Sequence, residues 1–417
     1  MKLNVFFRRT LLGTLEREPG GNFSFSYADN VPANYALALG MPTSQKFWKS
    51  RTLFPVFQVS YPEGFLERLL EQRLQLSGET SSELAVLLAS GQDRIGGLQL
   101  VPPAVLGQAG TLAPIWPKDS GAVSSLADLK AVTLGRLPGV SGGFPKHLGT
   151  SPDPTSPSPL HPCIVKTNDA DHPELTVLEF FGMKVARAMG LTTATARLSE
   201  DGEELFVERF DIDADGASLQ FEDMCSLLGL AARDKYAGSI ERVVRTVRDL
   251  VEPEIADVSC SNLFGQYLLA ASIRNSDAHL KNFGVLYSPE SRPQLAPVYD
   301  MLTMGAYAPR SNNGDAFDGM ALTLCGTKRW PRKPEIESFA RLCRISAAEE
   351  AAWHGRLSAA ISLVSKEVAE FSCRKVSAPT LHRLRRMLEL WSIGCSPMSP
   401  AASRAALEAS HAVRDLQ

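Results

Sequence analysis

The chain has 417 residues, 44% of them hydrophobic and 21% charged, with a formal net charge of -3. That is ordinary globular composition with room for two or three domains, and the absence of a basic excess excludes a dedicated nucleic-acid-binding surface, leaving room only for a small basic patch or a DNA-binding partner. The seven cysteines are scattered and form no C-x-x-C pair, which excludes a disulfide framework or zinc site and points to a reducing compartment. The opening "MKLNVFFRRTLLG" has no continuous apolar core of a signal peptide, and no run of about 18 apolar residues is present, so the expected location is cytoplasmic, with no membrane association.

In chain order, "LNVFF", "GTLERE" and "NFSFSYA" predict short strands separated by Gly and Asn turn signals. "EGFLERLLEQRLQL" and "SSELAVLLASG" predict two helices, and "GGLQLVPP" a strand ended by prolines. Residues 107–130 read as a connection, "AVTLGRL" as a strand, "PGVSGGFPK" as a Gly-rich turn, and "SPDPTSPSPLHP" (151–162) as a surface loop. "CIVK" predicts a strand ending at Lys166, "DHPELTVLEFFGMKVARAMG" a helix with Pro173 in its first turn, and "ATARLSEDGEELFVERF" a hairpin turning at Asp201-Gly202. Beyond residue 220 helices dominate: "FEDMCSLLGL", "SIERVVRTVRDLV", "VSCSNLFGQYLLAASI" and at least three after Pro334. One hairpin interrupts them, "NFGVLY"–"SPESRP"–"QLAPVYD".

The loop leading into that hairpin, "SIRNSDAHLKN", concentrates an acid, an imidazole, an ammonium and amides between two apolar elements. Asp277 and Asn282 lie five residues apart, and Asp300 ends the returning strand. Two carboxylates and an amide are hard oxygen ligands that suit Mg²⁺. The D-x-x-x-x-N spacing with a second Asp beyond a hairpin is the one protein kinases use, with the first Asp accepting the substrate hydroxyl's proton and Asn and the second Asp holding metal. His279 and Lys281 flank the base, Lys281 within reach of a transferred phosphate. Upstream, "GVSGG" (139–143) can aim backbone N–H groups at phosphates, Lys166 can reach them from a strand end, Glu179 on the next helix can pair with that lysine, and "VERF" (207–210) falls where an adenine-contacting hinge would fall.

Taken singly, the Gly-rich turn is only a turn, Lys166 and Glu179 ordinary surface charges, and His279 a structural loop histidine. Their order along the chain is what favours phosphoryl transfer. Two other readings stand beside it. One is a metal-dependent phosphohydrolase built on Asp277, His279 and Asp300. The other is a pseudokinase or nucleotide-binding module that regulates a helix-turn-helix partner.

"NSDAHLKN", "LAPVYDML", "VERFD", "EDMCSLLGL…KY" and "SGGFPK" together resemble the HipA-type serine/threonine toxin kinases of bacterial toxin–antitoxin modules, and "ELAVLLASGQDRIGGLQLVPP" resembles that family's small N-terminal subdomain. The resemblance implies an α+β, two-lobed protein-kinase-like fold, strand-rich at its N-terminal end and mainly helical at its C-terminal end. The implied division is an N-terminal subdomain over 1–106, a kinase N-lobe over 107–211 and a helical C-lobe over 212–417. It implies ATP and Mg²⁺ as cofactors, Asp277 as base, and Asn282 and Asp300 as metal ligands. Ser141, Gly142, Gly143, Lys146 and Lys166 would contact ATP, with Glu179 supporting and Glu208, Arg209 and Phe210 lining the adenine hinge. It further implies a protein substrate such as an aminoacyl-tRNA synthetase, and a helix-turn-helix antitoxin that carries the operator-DNA contacts. The sequence departs from the family at "GVSGGFPK", where Gly139 replaces a first serine and Phe144 a Gln, so that Ser141 is the candidate for autophosphorylation. It departs again at Phe221 and in "FQVSYPEG" (57–64), where an antitoxin would dock.

Overall fold

The computed structural model describes residues 1–64, 67, 70–71, 74, 82–90, 93–103, 146–151, 161–308, 319–374 and 376–416. The strand expected at "AVTLGRL", the Gly-rich turn with Ser141, Gly142 and Gly143, and all but the ends of the Pro/Ser-rich loop lie outside the described residues. Two compact units make up the chain: residues 1–167, 208–235 and 284–293 form the first, and 168–207, 236–283 and 294–417 the second. Among the described residues no helix is long and apolar enough to cross a membrane.

The first unit is built on a five-stranded antiparallel sheet of β1 (Lys2–Phe7), β2 (Thr10–Arg17), β3 (Phe23–Tyr27), β4 (Phe47–Ser50) and β5 (Leu98–Val101), in the order β4-β3-β2-β1-β5. Side chains alternate across a strand, so Leu3, Val5 and Phe7 of β1 share a core with Phe23, Phe25 and Tyr27 of β3. Leu84 and Leu87 of the helix Glu83–Ala89 close that core, and Ser82 caps the helix by accepting from the Ala85 N–H at 3.3 Å. The Tyr27 hydroxyl is satisfied inside the core, donating to the Met41 carbonyl and accepting from the Leu37 N–H.

Two smaller strand assemblies complete this unit. β6 (Lys146–Ser151) and β7 (His161–Thr167) form a hairpin whose register sets Lys146 directly opposite Lys166. The segment "QFEDMCSLLGL", read as helical from Phe221, instead begins as a strand. Gln220–Asp223 pairs with Gly284–Tyr287, and only Met224–Leu227 turns helical, capped by Asp223 accepting from the Ser226 N–H at 2.9 Å. Gly284 makes this pairing close, since a Cβ there would lie 2.5 Å from the Phe221 ring and 2.7 Å from the Glu222 carbonyl oxygen. The next hairpin closes over Pro289-Glu290 rather than over the whole of "SPESRP", because Ser291 already belongs to the return strand and its hydroxyl meets that of Ser288 at 2.9 Å.

A buried ion cluster joins distant parts of the first unit. The Arg209 guanidinium bonds Asp211 at 2.7 and 2.9 Å, Asp93 at 2.7 Å and the Arg94 carbonyl at 3.0 Å, while Asp211 also accepts from the Gly96 N–H at 2.9 Å. Burial alone would lower the pKa of Arg209, but the Asp211 and Asp93 carboxylates hold it above the usual range.

The second unit is mainly helical and organised around Pro253–Ser272, a helix with buried residues on every side. Gly265 lets the Trp353 ring approach it, since a Cβ would lie 2.5 Å from that ring, and Trp353 donates its indole N–H to Ser261 at 2.9 Å. At its end, Gly394 of the helix Ala378–Cys395 sits against the Ser272 carbonyl, where a Cβ would be 2.1 Å away. Helix Leu175–Ala188 packs on Ala347–Ser372 through the Phe181–Phe371 edge contact and the Lys184–Glu367 ion pair. The expected hairpin Ala196–Leu198/Glu204–Glu208 is present, with Gly202 at φ 78° in its turn.

His147 on β6 is buried, and its Nδ1 has no hydrogen-bond partner. Burial pushes the imidazole down to about 4. Above pH about 6.5 the ring is neutral folded or unfolded. Between that value and about 4 the unfolded chain binds a proton that the folded chain refuses, so stability falls as pH falls, by up to ~1.4 kcal/mol per pH unit. His147→Gln removes this component. The stability gap between variant and parent, measured by urea unfolding at pH 6.5 and 5.5, will shift in the variant's favour at the lower pH; a gap independent of pH contradicts the assignment.

Candidate active site

The second unit presents its polar loop at the end of the buried helix Pro253–Ser272. The helix stops in a left-handed C-terminal turn, with Arg274 at φ 59° and the Asn275 N–H donating back to the Ala270 carbonyl at 2.8 Å. A glycine usually takes this position; here Arg274 adopts it, its guanidinium 4.5 Å over the Trp330 ring and its carbonyl accepting from the Gly305 N–H at 2.9 Å.

Asn275 then organises the loop. Its side chain is buried, its Oδ1 accepts from the Asp277 N–H at 3.1 Å, and its Nδ2 donates to the Asp300 carbonyl at 3.4 Å. One amide thus holds the backbone of the expected base and the backbone of the expected metal ligand. Asp300 itself is at φ 51°, a left-handed conformation that Asp tolerates better than most residues yet at a cost of about 1–3 kcal/mol. Its neighbours are held on both sides. Val298 exchanges backbone bonds with Thr192 and Ala194, at 2.8 and 2.9 Å, and Gly182 lets helix Leu175–Ala188 press on the Met301 carbonyl, where a Cβ would be only 2.1 Å away.

The loop's own hydrogen bonds fix the rest. The His279 N–H donates to the Asp277 carbonyl at 2.7 Å, and a 3₁₀ turn over Leu280–Asn282 comes next. The Lys281 carbonyl accepts from the Tyr299 hydroxyl at 2.7 Å and the Asn282 carbonyl from Gln266 Nε2 at 3.3 Å. The Asp277 carboxylate is 24% exposed, its Oδ1 accepting from the Tyr236 hydroxyl at 2.6 Å and its Oδ2 lying 4.0 Å from His279 Nε2. The Asn282 Oδ1 is buried without a hydrogen-bond partner. Leaving such an acceptor unsatisfied costs about 1–3 kcal/mol, and a cation bound there would remove that cost. The chemistry of the donor set therefore fits a hard divalent ion held by oxygen ligands.

Asp277, His279, Lys281, Asn282 and Asp300 thus belong to one loop system of the second unit. Among the described residues no group of three or more His, Cys, Asp or Glu side chains is arranged to hold a metal ion. The remaining candidates lie elsewhere. Lys146 and Lys166 face each other on the first unit's hairpin, both nearly buried. Glu179 is 2% exposed within the second unit, not a solvated helix residue. Glu208 ends its strand, and the Phe210 ring meets Phe221 edge-on at 5.6 Å. Arg209 has its guanidinium in the Asp211–Asp93 cluster and its N–H on the Pro162 carbonyl at 3.0 Å.

Known proteins match the chain in two blocks. Residues 139–371 match the family model of the HipA-like C-terminal domain, and residues 3–101 that of the HipA N-terminal domain. The chain belongs to the HipA family. A Sinorhizobium fredii protein named as a kinase, Y4mE, is 28% identical over 348 residues, covering 77% of this chain and 82% of that protein. A second Sinorhizobium fredii protein named as a kinase, Y4dM, is 27% identical over 199 residues, 44% of this chain and 46% of its own. The HipA chain of the Shewanella oneidensis toxin–antitoxin complex with HipB and operator DNA superposes with a TM-score of 0.68 over the full length of both chains at 16% identity. That likeness establishes the fold as HipA's, mixed helix and sheet with strands concentrated toward the N-terminus and helices toward the C-terminus.

The sequence reading missed Asn275, Tyr236, Gln266 and Tyr299 as parts of this site. Asn275 carried a readable signal, since Asn two residues before an Asp in a loop suits an Asx turn; Tyr236, 41 residues from Asp277, carried none. Asn275→Ala removes both side-chain bonds from a buried position. It will lower stability to urea by about 1–3 kcal/mol, and a change below about 0.5 kcal/mol, the range of ordinary surface substitutions, would show that Asn275 does not hold the loop.

Proposed function

We propose that this HipA-family chain is an ATP- and Mg²⁺-dependent protein serine/threonine kinase that acts as a growth-arresting toxin. The observation that carries the reading is the pairing of a partly exposed Asp277 carboxylate with the buried, unsatisfied Asn282 Oδ1 five residues later in one hydrogen-bonded loop. Asp277 accepts the proton of the acceptor hydroxyl. Asn282 and Asp300 would hold Mg²⁺, which when bound neutralises charge on the phosphates. Lys281 and His279 flank the base. Lysine ammonium groups bind phosphate as point charges, and strand register sets Lys146 and Lys166 side by side, so we assign ATP's phosphates to them. Glu179 is a buried carboxylate of the second unit. Backbone groups of Glu208–Phe210 serve adenine, while the Arg209 side chain is structural.

The same reading takes the domain division as 1–106, 107–211 and 212–417, the location as cytoplasmic, and the substrate as a translation component such as an aminoacyl-tRNA synthetase. The Shewanella relative is bound to HipB and operator DNA. By analogy a helix-turn-helix antitoxin partners this chain, and its net charge of -3 suits a division in which the antitoxin carries the DNA contacts. Ser141 remains the candidate autophosphorylation site.

Asp277→Asn keeps the size of the side chain and removes the base. Transfer of label from γ-labelled ATP into protein will fall by about 10²–10⁴-fold, and expression of the variant will no longer arrest growth. Transfer at the parent rate would contradict the assignment.

A further inference from the structure

The Asp277 carboxylate already holds a hydroxyl. The Tyr236 phenol donates to Oδ1 at 2.6 Å. Burial does not enforce this bond, since Tyr236 is 43% exposed and the Asp277 side chain 24% exposed, and water could serve either group. Nor does the bond position the base, because the Asn275 Oδ1 and the His279 N–H fix the Asp277 backbone independently. The phenol is nevertheless directed there. Its ring meets His279 edge-on at 5.2 Å with an interplanar angle of 71°, and its backbone carbonyl accepts from Lys328 Nζ at 3.0 Å.

A general base receives its proton from an acceptor hydroxyl at about 2.6–3.2 Å. The Tyr236 hydroxyl meets that description in distance and in direction of donation. We propose that Tyr236 occupies the acceptor place on Asp277 and must leave before a serine or threonine hydroxyl is received. The inference rests on the reading of Asp277 as the base. While in place, the phenol occupies the oxygen that water would use. That suppresses hydrolysis of the nucleotide when no protein acceptor is present. An acceptor polypeptide displaces the phenol because it supplies its own hydroxyl and further contacts, whereas water supplies only a hydroxyl. Tyr236 is then a specificity-determining residue that discriminates protein acceptors from solvent.

Tyr236→Phe removes the hydroxyl and keeps the ring against His279. Phosphate release from MgATP, with water as the acceptor, is measured on the full chain for the parent, Tyr236→Phe and the double variant Tyr236→Phe/Asp277→Asn. The single variant will release phosphate about tenfold faster than the parent, the rate equivalent of about 1.4 kcal/mol, and the double variant will lose that gain. Release at or below the parent rate in a Tyr236→Phe chain with the parent's circular dichroism would overturn the proposal, since the phenol would then assist the base. A gain that survives in the double variant would overturn it as well. The label-transfer experiment on Asp277→Asn decides the base assignment separately, so a failed cap and a failed base are distinguishable.

Discussion

A single buried amide holds the candidate site together. Asn275 accepts from the Asp277 N–H and donates to the Asp300 carbonyl, joining the segment that leaves the long helix to the one that returns beyond the hairpin. Everything around it serves to keep that amide in place. The helix Pro253–Ser272 is packed on all sides, Gly394 clamps its last turn, and Arg274 takes the left-handed turn that delivers Asn275 to the interior. A buried amide with both ends bonded is a two-sided constraint, because moving either segment would leave a polar group unsatisfied away from water. The left-handed conformation of Asp300 is tolerated for the same reason: the backbone on either side of it is held by Val298, Asn275 and the close approach of Gly182.

The first unit uses a different device. There a buried guanidinium, Arg209, joins Asp211, Asp93 and the Arg94 carbonyl, so that the chain leaving one hairpin is fixed against the segment that precedes β5. Removing one partner of such a cluster would strand a charge, which is why a charged residue can sit at a position that looks from the sequence like part of a ligand-contacting strand. Strand register in the same unit sets Lys146 of β6 opposite Lys166 of β7.

The sequence was most informative where chemistry and local pattern coincide. "LNVFF" and "FSFSY" between Gly and Asn turn signals read directly as strands, and the Asp277–Asn282 spacing marks the loop because both residues lie in one short turn between strongly apolar elements. It was least informative where distant segments decide. "QFED" becomes a strand because Gly284, over sixty residues away, permits close pairing, and nothing local distinguishes it from a helix start. Glu179 looks like a solvated helix residue until the packing of its helix buries it. Tyr236 and Tyr299 reach the loop only through the tertiary fold. Asn275 stood in plain view, but its importance lies in bonding Asp300, a contact that no spacing rule predicts.

The central claim is that this loop is a metal-and-base site, with the base and the metal ligand separable. The direct test is calorimetric titration of a non-hydrolysable ATP analogue, with and without Mg²⁺, into the parent, Asn282→Ala and Asp277→Asn. Mg²⁺ will tighten binding in the parent and in Asp277→Asn, and Asn282→Ala will lose most of that Mg²⁺-dependent gain. Equal Mg²⁺-dependent affinity in the parent and Asn282→Ala would contradict the claim, because the buried Oδ1 would then have no part in holding the metal.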